Sequence, residues 1–126
     1  SYIIKANLKN IPYTIFGYKG KQVRDNIHSR DVSKFIEMFI NNPKKGEVYN
    51  IGGGYENSCS ILEIMEAIEV KSNLKFKKRT NSKNRIGDHI CYYSNLTKIK
   101  KHYPKWKIEI TLSEIIDQII FEWRSR

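Results

Sequence analysis

Cysteine is scarce in this chain: Cys59 and Cys91 are the only two in 126 residues. Neither stands in a C-x-x-C pair or near a spaced histidine cluster, which argues against a zinc site. Two thiols without a signal-peptide pattern suit a reducing, cytoplasmic compartment. Long apolar runs are absent too, so no membrane span and no membrane partner are expected. There is no internal repeat and no low-complexity linker. The chain opens on Ser1 rather than Met, and SYIIKANLKN reads as the middle or end of a helix with no N-cap before it. The expectation is a sequence that starts partway through a larger protein.

What is present is a globular composition, with 40% hydrophobic and 29% charged residues. The length suits one modest domain with a limited core. The net charge is +10, a balance that fits nucleic acid, an anionic surface or a phosphorylated small ligand. Composition alone does not choose among these.

Local patterning predicts alternating helices and short strands. A helix end over Tyr2 to Leu8 stops near Asn10 and Pro12, and a strand runs from Tyr13 to Phe16, closed by Gly17. A glycine turn over Tyr18 to Lys21 leads into an extended segment from Val23 to His28. Ser29 or Asp31 caps the next helix, whose apolar residues are Val32, Phe35, Ile36, Phe39 and Ile40, and Pro43 follows its end. Val48 to Ile51 reads as a strand, broken by Gly52, Gly53 and Gly54. Ser60 with Glu63 forms a capping box ahead of a helix carrying Ile61, Ile64, Met65 and Ile68. A strand is expected from Leu74 to Lys78, a polar loop over Thr80 to Asp88, and an extended piece over Ile90 to Tyr93. A short helix with Leu96, Ile99 and Lys100 ends at Pro104. Thr111 with Glu114 is a second capping box. It opens the strongest periodic stripe: Leu112, Ile115, Ile116, Ile119, Ile120 and Trp123. The predicted class is mixed α/β, without a complete doubly wound sheet.

Two arginines have informative neighbours. Arg24 follows a glycine turn in GYKGKQVRDNIHSRDV, and Arg85 lies in the polar segment NRIGDHICYY. A guanidinium is a permanently charged planar fork, so two of them from distant loops can clamp a diphosphate. Taken singly, each is also a natural surface or ion-pair residue.

The segment YTIFGYKGKQVRDNIHSRD resembles the opening of the substrate-binding part of extended short-chain dehydrogenase/reductase enzymes, the NAD-dependent nucleotide-sugar epimerases and dehydratases. EVYNIGGG, NRIGDHICYYSNLTKIKKHYPKW and the final amphipathic helix follow in that family's order, so the resemblance covers essentially the whole chain. Within the family the sequence is most similar to the CDP-tyvelose (CDP-paratose) 2-epimerases. The resemblance implies a small mixed α/β substrate-binding domain over residues 1–126, from an epimerase whose NAD is held by an N-terminal Rossmann domain outside this sequence. Its ligand would be a CDP- or UDP-sugar. Arg24 and Arg85 match the diphosphate-binding arginines, and Gln22 adds a polar contact there. Thr14, Ile15 and Phe16 match the strand that lines the base and ribose. Asp88, from the R-x-G-D motif, lies close to the ribose, and Tyr92 near the nucleotide. Each has a structural counterpart reading: core packing for Ile15 and Phe16, a turn for Asp88, half-buried packing for Tyr92. His28 and Asp31 read as structural, Asp31 suiting the positive end of a helix dipole.

Two features of the family's chemistry are not found. One is the G-x-G-x-x-G turn that seats the NAD pyrophosphate; Gly52-Gly53-Gly54 lacks that spacing. The other is a Tyr-x-x-x-Lys pair on one helix, whose tyrosine exchanges the hydroxyl proton while NAD exchanges hydride. Tyr103 and Lys107 have the spacing, but Pro104 between them argues against a continuous helix. The chain alone is therefore expected to be inactive. Apolar surface meant for the NAD domain would favour self-association. A basic nucleic-acid-binding module is the competing reading, carried by the lysines and aromatics between Lys98 and Lys107.

Overall fold

A computed structural model describes residues 1–84 and 86–126, with five α-helices and five short strands. In chain order they are α1 (Tyr2–Leu8), β1 (Tyr13–Phe16), β2 (Val23–Asp25), α2 (Ser29–Asn41), β3 (Ser58–Ser60), α3 (Ile61–Ser72), β4 (Lys78–Asn81), β5 (Cys91–Tyr92), α4 (Thr97–His102) and α5 (Leu112–Arg124). β1 and β4 form a parallel pair with Tyr13 opposite Lys78 and Phe16 opposite Asn81. A second sheet has the order β3-β2-β5, and β2 runs parallel to β5 with Arg24 opposite Tyr92. The architecture is the small mixed α/β fold expected. It divides into two compact units, one of Ser1–Arg24, Cys59–Tyr92 and Ser113–Arg126, the other of Asp25–Ser58 and Tyr93–Leu112.

The first unit packs helices beside the β1–β4 pair. Ile4, Ile15, Met65, Ile68, Phe76, Ile116 and Ile120 are buried in it. The stripe expected on α5 is the face that buries Ile116 and Ile120. Lys71 pairs with Asp117 at 2.6 Å, and Arg124 donates to the Ser72 carbonyl at 2.7 Å, so α5 is tied to α3. The capping box at α3 forms as expected: the Glu63 amide donates to Ser60 Oγ, and the Ser60 amide donates to the Glu63 carboxylate.

One strand lies later than expected. Leu74 to Lys77 is not in a ladder; β4 starts at Lys78 and extends into the segment predicted as loop. All four β4 residues are exposed, so they carry no hydrophobic alternation. Their place is set by the backbone ladder with β1, a long-range pairing that periodicity does not record.

The second unit is built around Phe35. Its ring meets Tyr49, Tyr103 and Trp106 edge-on, at centroid distances of 5.6, 5.3 and 5.8 Å, a favourable arrangement of ring quadrupoles. Leu96 and Ile99 complete the buried cluster. Val48 to Ile51, expected as a strand, enters no ladder; Tyr49 and Ile51 pack on the aromatic cluster instead. The cap of α2 also differs: His28 Nδ1 accepts from the Arg30 amide at 3.0 Å, and Ser29 is the first helical residue. Asp31 is structural, as read, but through distant partners. It is fully buried, and its Oδ2 accepts from the amides of Glu109 and Ile110 at 3.2 Å each. The Trp106 indole donates to its carbonyl at 2.9 Å.

Glycines at 52–54 let the backbone approach closely. A Cβ on Gly53 would stand 1.9 Å from the Asn26 carbonyl oxygen, and one on Gly52 2.3 Å from Asp25 Oδ2. Only hydrogen fits there.

Candidate functional site

The candidate site is a cleft of about 190 Å3 in the first unit, walled by all four residues of β1 and by Gln22, Arg24, Ile61 and Asp88. It is not the largest hollow. One of about 590 Å3 lies against Ile15, Tyr18 and Asn81, and one of about 340 Å3 in the second unit lies against Gly53, Tyr55 and Lys100. The smaller cleft stands out because polar and charged groups converge on an apolar wall.

Each wall residue owes its place to a local element. β1 forms because YTIF is β-prone and Gly17, at φ +58°, ends it. Gln22 and Arg24 follow the turn at Tyr18–Gly20, Arg24 on the second strand. Asp88 follows Gly87, whose φ is +76°. The Arg24 guanidinium is held on three sides: Nη1 donates to the Val23 carbonyl at 2.6 Å, and Nη2 donates to the His89 carbonyl at 2.6 Å and to the Asp88 carboxylate. Tyr18 Oη donates to the Asp88 backbone carbonyl at 3.2 Å, steadying the same corner. Both members of the ion pair are partly screened by protein, with side-chain exposures of 34% and 22%. A guanidinium so held is oriented in advance, with little rotamer freedom left to lose on binding an anion.

Of the site residues read from the sequence, Thr14, Ile15, Phe16, Gln22, Arg24 and Asp88 come together in this cleft. Ile15 is 5% exposed, so its side chain is also core. Tyr92 does not line the cleft. It is half exposed, opposite Arg24 in the ladder and stacked near His89 with ring centroids 6.1 Å apart. Arg85 lies outside the described residues. Tyr13 and Ile61 were missed. Tyr13 begins the strand already singled out, and Ile61 directly follows the Ser60 cap, so both signals were at hand.

Two carboxylates with lowered pKa values, Glu63 and Glu69, lie on α3; two others, Glu47 and Glu109, are lowered by Lys98 and Lys34. Backbone donation from Ser60 holds the Glu63 carboxyl below the usual range. Glu69 is lowered by the Phe76 amide first and by Lys75 second. Both serve the helix. Among the described residues no group of three His, Cys, Asp or Glu is placed to hold a metal ion, and no helix is long and apolar enough to cross a membrane.

Residues 1–52 match the model of the NAD dependent epimerase/dehydratase family. CDP-paratose 2-epimerase of Salmonella typhi is 32% identical over 118 residues, covering 92% of this chain and 34% of that protein. The chain belongs to the NAD dependent epimerase/dehydratase family. A second relative, dTDP-glucose 4,6-dehydratase of Salmonella typhimurium, is 29% identical and is likewise matched over 34% of its length. The chain thus spans about a third of these relatives. Among solved structures, UDP-glucuronic acid 4-epimerase from Bacillus cereus, in complex with UDP-glucuronic acid and NAD, superposes with a TM-score of 0.84 at 26% identity. It covers 98% of this chain and 38% of that one.

The glycine run closes on a carboxylate of this chain. Gly54 and Ser94 already donate their amides to Asp25 Oδ2, at 3.0 and 2.9 Å. A carboxylate at that turn repels a pyrophosphate, so Gly52–Gly54 does not fit NAD. Tyr103 and Lys107 do not share a helix, because α4 ends at His102, and Tyr103 Oη donates to the Asn42 carbonyl at 2.8 Å.

Proposed function

We propose that this chain is the nucleotide-sugar-binding domain of an NAD-dependent sugar-nucleotide epimerase, and that the reaction is CDP-sugar 2-epimerisation. One observation carries the binding role. Strand β1, Gln22 and Arg24 meet Asp88, 64 residues beyond Arg24, at one cleft with a pre-oriented guanidinium at its wall. In this reading β1 lines base and ribose, Arg24 and Arg85 take the diphosphate, Asp88 orients Arg24 and reaches the ribose, and Tyr92 lies near the nucleotide. The relative at 32% identity supports the CDP-sugar and the 2-epimerase reaction.

The chain's share of catalysis is to bind, to orient and to keep water away. Binding energy from the nucleotide then holds the sugar for a redox step supplied elsewhere. A second reading, 4-epimerase or 4,6-dehydratase, is favoured by the relatives of those names. Both are tested by supplying the protein in its full natural length with NAD and, in turn, CDP-paratose, UDP-glucuronic acid and dTDP-glucose. Conversion of CDP-paratose to its C2 epimer, followed by proton NMR, is the expected result. Turnover of only a UDP- or dTDP-sugar would replace the reaction while keeping the cleft.

A further inference from the structure

Gln22 has capacity that the protein does not use. It is 8% exposed, and its Nε2 donates to the Phe16 carbonyl at 3.0 Å. A carbonyl accepts only from the nitrogen end of an amide, so the other terminal atom is the oxygen. That oxygen, Oε1, is buried and has no hydrogen-bond partner among the described residues, a state shared by Asn7 Oδ1 and Asp31 Oδ1, neither of which belongs to a residue of the cleft wall. An unpaired buried acceptor is a standing cost. The same side chain forms part of the cleft wall, with Thr14, Phe16 and Arg24.

The unspent atom is an acceptor, and this limits what it can recognise. Phosphate oxygens are acceptors as well, so Oε1 has nothing to offer a diphosphate. The nucleoside has donors: ribose hydroxyls and base N–H groups. We infer that Gln22 Oε1 accepts a hydrogen bond from an O–H or N–H donor on the nucleoside part of the ligand, and so distinguishes a nucleotide from bare pyrophosphate. This rests on the cleft being the nucleotide site. With Oε1 buried, a ligand that lacks the donor leaves it unpaired, and such a ligand is rejected strongly.

The test titrates the protein in its full natural length, wild type and Gln22→Met, with CDP, UDP, their 2′- and 3′-deoxy forms, N3-methyl-UDP and inorganic pyrophosphate. Gln22→Met should weaken CDP or UDP about tenfold or more and leave pyrophosphate unchanged. The analogue that is already weak on wild type, and loses nothing further in the variant, identifies the donor as ribose or base. Equal weakening of nucleotide and pyrophosphate, or no weakening of either, would overturn the inference. Should the variant fail to fold, the wild-type side-chain amide of Gln22 is followed by 15N NMR. It should shift with CDP or UDP and not with pyrophosphate, and no shift with the nucleotide that binds overturns the inference. If neither nucleotide binds wild type, the nucleotide reading itself falls.

Discussion

The two units spend their polar groups differently. In the unit around Phe35, buried polar groups serve the fold. Asp31 gathers two backbone amides and the Trp106 indole, Asp25 gathers two more amides, and Asn57 donates to the Ile110 carbonyl at 3.0 Å. The other unit closes its helices just as conventionally, with the Ser60 box and the Lys71–Asp117 pair, yet its cleft collects a pre-oriented arginine and an unpaired amide oxygen. An unpaired buried oxygen is not peculiar to the cleft, since Asp31 Oδ1 and Asn7 Oδ1 also lack a hydrogen-bond partner among the described residues; Gln22 Oε1 differs in belonging to a cleft-wall residue beside a pre-oriented arginine. Substitutions in the first set should therefore cost stability, and those in the second should cost binding.

The largest effect should come from Trp106→Ala. It empties a site 2% exposed and removes the bond to the Asp31 carbonyl, so urea unfolding should show a loss of about 3–5 kcal/mol. Asp31→Asn keeps the shape but weakens the acceptor for two amides, and should cost about 1–3 kcal/mol in the same assay. A loss as large from the Arg24–Asp88 pair would break the contrast between the units. Ser60→Ala should cost about 1 kcal/mol by removing one half of the capping box.

A smaller effect concerns pH. Glu63 and Glu69 have depressed pKa values in the folded protein. Their contribution is present above the unfolded carboxylate range and is lost as pH falls through the folded values. Urea midpoints should fall as pH drops through and below the ordinary carboxylate range, and less steeply in Glu63→Gln and Glu69→Gln. The smallest stability effect should be that of Arg24→Ala, below about 1 kcal/mol, because its ion pair is partly solvated.

Much of this was legible locally. The β1 strand, the capping box at Ser60 and the α5 stripe follow from residue type and spacing, and each appears where the sequence puts it. β4 was not legible, because Lys78–Asn81 is exposed throughout and placed only by its ladder with β1. Val48–Ile51 misled in the opposite sense, its apolar residues serving a cluster rather than a sheet. Trp106 stands just past the predicted helix stop at Pro104, and only the fold brings it to Asp31, 75 residues away. The site shows the same division. Arg24 and Asp88 stand 64 residues apart; spacing alone could not join them, whereas motif order did. The idle acceptor of Gln22 depends on the Phe16 carbonyl and on burial, neither of which a sequence displays.

The most direct measurement is calorimetric titration of the protein in its full natural length with CDP and UDP, alongside Arg24→Ala and Arg85→Ala. Wild type should bind at least one nucleotide, and each substitution should weaken it about tenfold or more while the unfolding midpoint stays nearly fixed. Unchanged affinity in both variants would contradict the account.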